Sequence, residues 1–166
     1  MTLASVDPAA LRQLLSEVRA GTFDWSLPSL ELLLQRLGWT VTEDRPGAGM
    51  LIHTGWGFER AIVLLEYRNG LVDAMTALLT ESHFDRLAEK QDAFVDLVAQ
   101  TRAVLGPPTG IEPGDEPQVE WSDPETTFVV QRTLSNVIGT WARTPYHEEM
   151  KAEIKLQLGE TDEDDY

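Results

Sequence analysis

The dipeptide Asn69-Gly70 constrains the fold of this chain more than any other feature, because it stands between two apolar runs. Residues 60–67 contain five consecutive apolar side chains, and residues 71–75 read Leu-Val-Asp-Ala-Met. Asn and Gly both tolerate the positive φ angles of the tightest hairpin turns, so the pattern predicts two antiparallel strands joined by a two-residue turn. We therefore expect a β-sheet as the framework of the chain.

Two helices and two strands are predicted before this hairpin. Apolar side chains over residues 7–20 recur at the three- and four-residue spacing of a helix with one buried face, and Asp7 can cap its start. Residues 28–37 repeat the pattern, with Ser26 just upstream as a candidate cap, and are followed by a glycine, which suits a helix end. Residues 39–43 alternate apolar and polar side chains, and residues 50–54 form a second short run, so we predict two strands joined by a glycine-rich loop.

A long helix is predicted after the hairpin, over residues 82–105. Phe84 and Leu87 begin its apolar stripe, and Ser82 followed by Asp85 imitates a capping box. Three strands are predicted over residues 118–121, 126–132 and 137–142. A weaker helix follows over residues 147–158, where Met150, Ile154 and Leu158 recur every four residues.

This order of elements predicts an α+β fold. We expect an antiparallel sheet of about six to seven strands, with the N-terminal helices and one long central helix packed on it. Residues 1–158 are predicted to form a single domain, and no internal repeat of 20–50 residues is visible. Residues 159–166 carry five acids and no base, which predicts a disordered acidic tail.

The composition favours a cytoplasmic protein with a basic partner. The chain has no cysteine, no apolar run long enough to span a bilayer and no leader-like start. With 28 acidic and 13 basic residues its net charge is −15, which repels nucleic acid and anionic membranes. The alternative is that the acidity serves only solubility.

Catalytic motifs are not evident in the sequence. It has three histidines, no G-x-S-x-G elbow and no phosphate-binding loop ahead of a helix, so we expect no catalytic residue, no metal site and no cofactor. One enzyme hypothesis stays open, in which Glu66 and Asp73 act as a carboxylate pair across the hairpin.

Two regions are candidate partner-binding surfaces. Trp56 stands between two glycines at a strand break, where the backbone can expose a side chain, and Trp is enriched at binding hot spots. Trp39 and Trp121 lie in alternating strand patterns that predict core-facing rings, and Trp121 is also the second candidate anchor. The remaining candidates are the six acids of the long segment 112–125: Glu112, Asp115, Glu116, Glu120, Asp123 and Glu125.

Several segments together resemble an uncharacterised actinobacterial family that is known only as a domain of unknown function. The resemblance covers roughly residues 8–142 and is carried by the order and spacing of Leu37-Gly38-Trp39, Gly55-Trp56-Gly57, Asn69-Gly70, Leu105-Gly106-Pro107-Pro108-Thr109, Pro113-Gly114-Asp115-Glu116-Pro117 and Val119-Glu120-Trp121. It implies a shared fold and no catalytic residue. The architecture is also loosely similar to bacterial secretion chaperones and to immunity proteins that neutralise toxins.

Three functions follow as hypotheses. The first is a non-catalytic acidic domain that neutralises a basic toxin or escorts a secreted effector. The second is a sensor that holds a small molecule or peptide in a cup between the sheet and the long helix. The third is the carboxylate-dependent enzyme.

Overall fold

A computed structural model describes residues 3–158, which form one antiparallel sheet and four helices. The helices are α1 (Pro8–Ala20), α2 (Leu27–Leu37), α3 (Leu87–Leu105) and α4 (Thr144–Leu158). The strands are β1 (Thr40–Arg45), β2 (Gly49–His53), β3 (Ile62–Arg68), β4 (Leu71–Leu78), β5 (Gly110–Glu112), β6 (Gln118–Ser122), β7 (Thr126–Arg132) and β8 (Val137–Arg143). The predicted α+β class is confirmed, with eight strands instead of six to seven. The predicted tail, residues 159–166, lies outside the described residues.

The sheet consists of two four-stranded meanders. Its strand order is β1-β2-β3-β4-β8-β7-β6-β5, so each meander runs from an outer edge to the centre, where β4 pairs with β8. Helices α1 and α2 precede the first meander, and α3 precedes the second. Each half of the chain therefore consists of helical structure followed by a four-stranded meander. No internal repeat in the sequence predicts this correspondence.

The predicted central hairpin is confirmed. β3 and β4 pair antiparallel, and Arg68 lies opposite Leu71 across the Asn69-Gly70 turn. Both turn residues have positive φ, 54° and 79°, as the tight hairpin requires. The hairpin thus places β4 at the centre of the eight-stranded sheet and β3 next to it.

The first two helices begin and end where the sequence predicts. The Asp7 carboxylate accepts a hydrogen bond from the Ala9 amide at 3.0 Å, and the Ser26 hydroxyl accepts one from the Ser29 amide at 3.2 Å. Gly38 takes the left-handed conformation that closes α2. Both helices bury their leucine stripes in the common core.

The two faces of the sheet differ in what covers them. On the inner face, side chains of α1, α2 and α3 form one core with alternate strand residues such as Val63, Phe128 and Val130. The intervening strand residues point to the opposite, outer face. There, α4 lies over part of the second meander, and Leu64 on the first meander is 48% exposed. None of the helices in residues 3–158 combines the length and apolar composition that a bilayer crossing requires.

Two predicted elements differ from the structure. The long helix begins at Leu87 instead of residue 82, because Arg86 adopts a left-handed conformation (φ 61°) and no side chain caps the helix start. The capping box of Ser82 and Asp85 therefore does not form. The last helix, α4, begins at Thr144 instead of residue 147. In addition, the segment between α3 and residue 118, where no strand is predicted, contains the short strand β5, which pairs with β6.

Candidate functional site

A groove of about 740 Å³ lies between α4 and the outer face of the second meander. Two rows of side chains that cross the strands form its floor, and one face of α4 forms its wall. The floor residues are Gly110, Glu112, Gln118, Glu120, Val129, Gln131 and Thr140. The wall residues are His147, Met150, Lys151, Ile154, Lys155 and Leu158. Ligand pockets in proteins commonly have volumes of roughly 300–1,000 Å³, so this groove has the size of a binding site.

The polar groups of the groove are arranged asymmetrically. Glu120 Oε1 lies 3.1 Å from His147 Nε2 and 3.7 Å from Lys151 Nζ, so two groups of α4 already engage this carboxylate. Glu112, near the edge of the sheet, accepts a hydrogen bond from the neutral amide of Gln118 at 2.8 Å. Glu112 is therefore the carboxylate of the floor that forms no ion pair with a described residue.

The start of α4 is fixed to the sheet by a cluster of charged and aromatic side chains. Asp73 is 2% exposed and forms ion pairs with Arg68 (2.7 Å) and Arg143 (2.5 Å). The Tyr146 hydroxyl donates to Glu66 at 2.8 Å, and the Arg68 guanidinium lies 5.5 Å from the centre of the Tyr146 ring. Burial and the bond to Glu66 raise the pKa of Tyr146. Of the pair in the enzyme hypothesis, Glu66 thus holds Tyr146 of α4, and Asp73 is paired with two arginines of the sheet.

The end of α4 is attached more weakly than its start. The helix contains no buried residue, and Ile154 and Leu158 are 55% and 66% exposed although they face the groove. After Lys151, no hydrogen bond or ion pair within residues 3–158 joins the helix to the sheet. The groove is therefore closed at the start of α4 and open toward its end.

The structure places the predicted acids in three groups around α4. Glu112 and Glu120 lie in the groove. Asp115 and Glu116 are exposed in the turn between β5 and β6. Asp123 and Glu125 lie in the turn between β6 and β7, beside the start of α4. The Asp123 side chain accepts hydrogen bonds from the amides of Glu125 and Thr126. The backbone carbonyls of Asp123 and Glu125 accept hydrogen bonds from Thr144, the first residue of α4.

The two candidate tryptophans do not join these acids. Trp121 is 6% exposed on the inner face and donates its indole N–H to the Gly106 carbonyl at 2.8 Å, so its ring lies beneath the surface. Trp39 is buried too, as predicted. Trp56 is half-buried in the other half of the sheet, with its ring edge-on to Trp39 at 5.8 Å. Its flanking glycines turn the ring onto the core instead of fully into solvent.

The wall of the groove is the part of the site that the sequence analysis missed. His147, Lys151 and Lys155 gave no distinct signal, because isolated charges on a helix are usually solvated. The four-residue recurrence of Met150, Ile154 and Leu158 was the available clue, and this narrow stripe is the one that faces the groove. Within residues 3–158, no three potential metal ligands cluster.

A comparison with protein families assigns the chain to a group. Residues 9–143 match the model of a family of unknown function, DUF6301. The chain belongs to DUF6301. The predicted resemblance to a domain of unknown function is confirmed, and the DUF6301 match spans both meanders and the floor of the groove, ending at the last residue of β8. No curated protein and no solved structure matches the chain.

Proposed function

We propose that this chain is a non-catalytic protein-binding domain whose groove receives an extended, basic segment of a partner protein. The observation that carries the proposal is the half-open groove itself. Its floor carries Glu112 and Glu120, of which Glu120 is engaged by His147 and Lys151, and its wall carries an apolar stripe beside these basic groups. Neutralisation of a basic toxin and escort of a secreted effector are two roles that such a site fits.

The edge of the sheet favours an extended occupant. β5 is the last strand of the described sheet, so the outer N–H and C=O groups of its backbone have no neighbouring strand. A peptide that pairs with β5 would send alternate side chains to the outer face, into the groove. Gly110 has no side chain that would project into the groove. A Cβ added at this position would lie 3.9 Å from the Cβ of Glu120.

Charge favours a basic occupant. Glu112 has a neutral partner, so a Lys or Arg side chain of the peptide can pair with it without displacing a cation. Asp115 and Glu116 lie in the turn just beyond, and the net charge of −15 attracts a cationic partner over a longer range. Apolar peptide side chains would contact Met150 and Ile154.

A small-molecule sensor is the second candidate, favoured by the volume of the groove. The cup predicted between the sheet and the long helix is occupied by core side chains, among them Phe94 and Leu97 of α3. A small ligand would therefore use the groove under α4, on the other face of the sheet.

Selection from a random heptapeptide library displayed on phage tests the proposal. We expect enrichment of Lys and Arg beside apolar residues, and we expect Gln131→Trp, which fills the groove, to raise the Kd of a selected peptide at least about tenfold. Gln35→Trp on the exposed side of α2 is the matched control. Glu112→Lys should weaken the peptide more than Glu31→Lys, also on α2.

Two results would contradict the proposal. One is a set of selected peptides without basic enrichment. The other is binding that Gln131→Trp leaves unchanged, because it would place the peptide outside the groove.

A further inference from the structure

Three large apolar side chains stand in solvent at the start of α3. Phe84 is 84% exposed, Leu134 67% and Leu87 61%, and we call these three residues the Phe84 platform. The helical pattern predicted Phe84 and Leu87 on a buried stripe. The left-handed Arg86 separates Phe84 from the helix and leaves it on the surface.

Long-range hydrogen bonds hold the backbone of the platform in place. The His83 amide donates to the Ser135 carbonyl at 2.7 Å, and the Asn136 side-chain amide donates to the Ser82 hydroxyl at 3.0 Å. These contacts tie the segment before α3 to the turn between β7 and β8, which carries Leu134. The segments that carry Phe84 and Leu134 are therefore joined by hydrogen bonds between their neighbouring residues.

A buried cation connects the same two segments from below. Lys90 is 2% exposed, and its ammonium donates to the carbonyls of His83 (2.7 Å) and Leu134 (2.5 Å), the residues next to or within the platform. A charge is buried only with strong compensation, and these carbonyls supply it. Phe84 and Leu134 thus present apolar side chains on a backbone that is ordered before any partner arrives, which reduces the entropy lost on binding.

Backbone strain points the same way. The left-handed conformation of Arg86 (φ 61°) is unfavourable for a residue with a side chain, and the Arg86 guanidinium forms ion pairs with Glu81 (3.7 Å) and Glu89 (3.4 Å). Such outliers are concentrated at functional sites. The strained Arg86 places the Phe84 ring in solvent instead of in the predicted buried position. A role of this ring as a binding anchor would explain the strained conformation.

Acidic side chains border the platform. Residues 81–96 contain five acids and two bases, and both bases are engaged, Lys90 by carbonyls and Arg86 by carboxylates. Asp85 and Asp92 are exposed and form no ion pair with a described residue. The platform thus combines an apolar centre with a negative border.

We propose that the Phe84 platform is a second docking surface, for a partner protein with an apolar contact surrounded by Lys and Arg. The negative border matches such a partner and opposes a second copy of this chain, whose net charge is also −15. None of the three platform residues lines the groove, and the inference does not rest on the proposed function.

Binding of two amphipathic peptides to the Gln131→Trp variant, whose groove is filled, tests the inference. The first repeats Lys-Leu-Ala-Lys-Leu-Ala-Lys twice, and the second has Glu in place of each Lys. We expect the basic peptide to bind at least about tenfold more tightly and to shift the amide NMR signals of residues 82–96 and 133–136. The double substitution Phe84→Ser and Leu134→Ser should raise the Kd at least about tenfold. It should leave the melting temperature unchanged, because both side chains are exposed. Leu156→Ser, at 67% exposure on α4, is the matched control.

Three outcomes would overturn the inference. They are equal binding of the two peptides, binding that survives the double substitution, and self-association in sedimentation velocity that the double substitution abolishes, since this would make a second copy the occupant. Loss of groove binding through Gln131→Trp leaves the platform test unaffected, so failure of the proposed function and failure of this inference are distinguishable.

Discussion

Lys90 is the residue whose environment departs most from its usual one. Its ammonium is buried and receives its compensation from backbone carbonyls of two distant segments. The sequence places it in a helix like any solvated lysine. Its role arises only when the segment before α3 and the turn between β7 and β8 meet above it.

Replacement of this lysine should destabilise the fold. Lys90→Met keeps the aliphatic length but leaves two carbonyls without their charged donor, so we expect the free energy of unfolding to fall by about 2 kcal/mol or more. Urea denaturation measures the change. Lys155→Met, at an exposed lysine of α4, should change the free energy by less than about 0.5 kcal/mol. Equal effects of the two substitutions would contradict a structural role for the buried ammonium.

Glu81 should make the protein sensitive to acid. Its carboxylate accepts a hydrogen bond from the Ala4 amide at 2.7 Å, and this bond, with His83 and Arg86 nearby, lowers the pKa of Glu81 below the usual value of a glutamate. A lowered folded-state pKa contributes stability that is present above pH 4.5 and is lost as the pH falls through the folded value. In urea denaturation at pH 6 and pH 3, Glu81→Gln should therefore lose less stability on acidification than the wild type. Glu31→Gln, an exposed control, should behave as the wild type does.

Gly49 and Gly47 allow the steric clash of an added Cβ to be separated from the backbone strain of a positive φ angle. Both have positive φ, 120° and 87°, but a Cβ at Gly49 would overlap the carbonyl oxygen of Leu65 whereas nothing lies within 4 Å at Gly47. We expect Gly47→Ala to lower the free energy of unfolding by about 1 kcal/mol and Gly49→Ala by at least about 2 kcal/mol. Thermal and chemical denaturation measure both. A smaller effect at Gly49 would show that β2 can move away from β3.

At the scale of elements, α4 differs from the other three helices. Those three bury apolar stripes in the core, whereas α4 is held by polar contacts near its start. Helices without buried apolar contacts open locally at low free energy. This property suits the proposed binding of a partner segment beneath α4.

Loss of one anchor should loosen α4 and leave the rest of the fold intact. Tyr146→Phe removes the hydrogen bond to Glu66, so amides of residues 146–158 should exchange faster with deuterium while the amides of β3 and β4 keep their protection. Tyr67→Phe is the matched control, since its hydroxyl donates to Asp44 at the other edge of the sheet. Faster exchange throughout the sheet would mean that α4 is an integral part of the core.

At the scale of the molecule, the dominant feature is the net charge of −15. Self-repulsion of this size destabilises a compact state. The ion pairs between α4 and the sheet offset only part of this charge repulsion, because the 28 acidic residues outnumber the 13 basic residues about two to one.

Salt should therefore stabilise the protein at low ionic strength. Raising NaCl from 0.01 to 0.15 M shortens the screening length from about 30 Å to about 8 Å, so we expect the melting temperature to rise over this range and then to level off. Differential scanning calorimetry measures the trend. A melting temperature that stays flat below 0.15 M, or increases only at molar salt, would indicate that self-repulsion is unimportant.

Local chemistry in the sequence determined much of this architecture. The Asn69-Gly70 turn, the caps at Asp7 and Ser26 and the leucine stripes of α1 and α2 act within a few residues, so they could be predicted and are confirmed. The acids Glu112 and Glu120 could be proposed as site residues because they lie in a conspicuous acidic segment.

Only the tertiary structure decided the remaining features, because they depend on contacts between distant segments. β5 has three residues and little apolar pattern of its own, and pairing with β6 defines it. Phe84 lies outside the predicted helix because the backbone of the preceding residue, His83, is bonded to two other groups. Its amide donates to the carbonyl of Ser135, which is distant in sequence, and its carbonyl accepts from the ammonium of Lys90 in α3. The groove exists because α4 crosses the outer face at an angle set by Tyr146, Glu66 and Glu120, side chains from three separate elements that no local pattern connects.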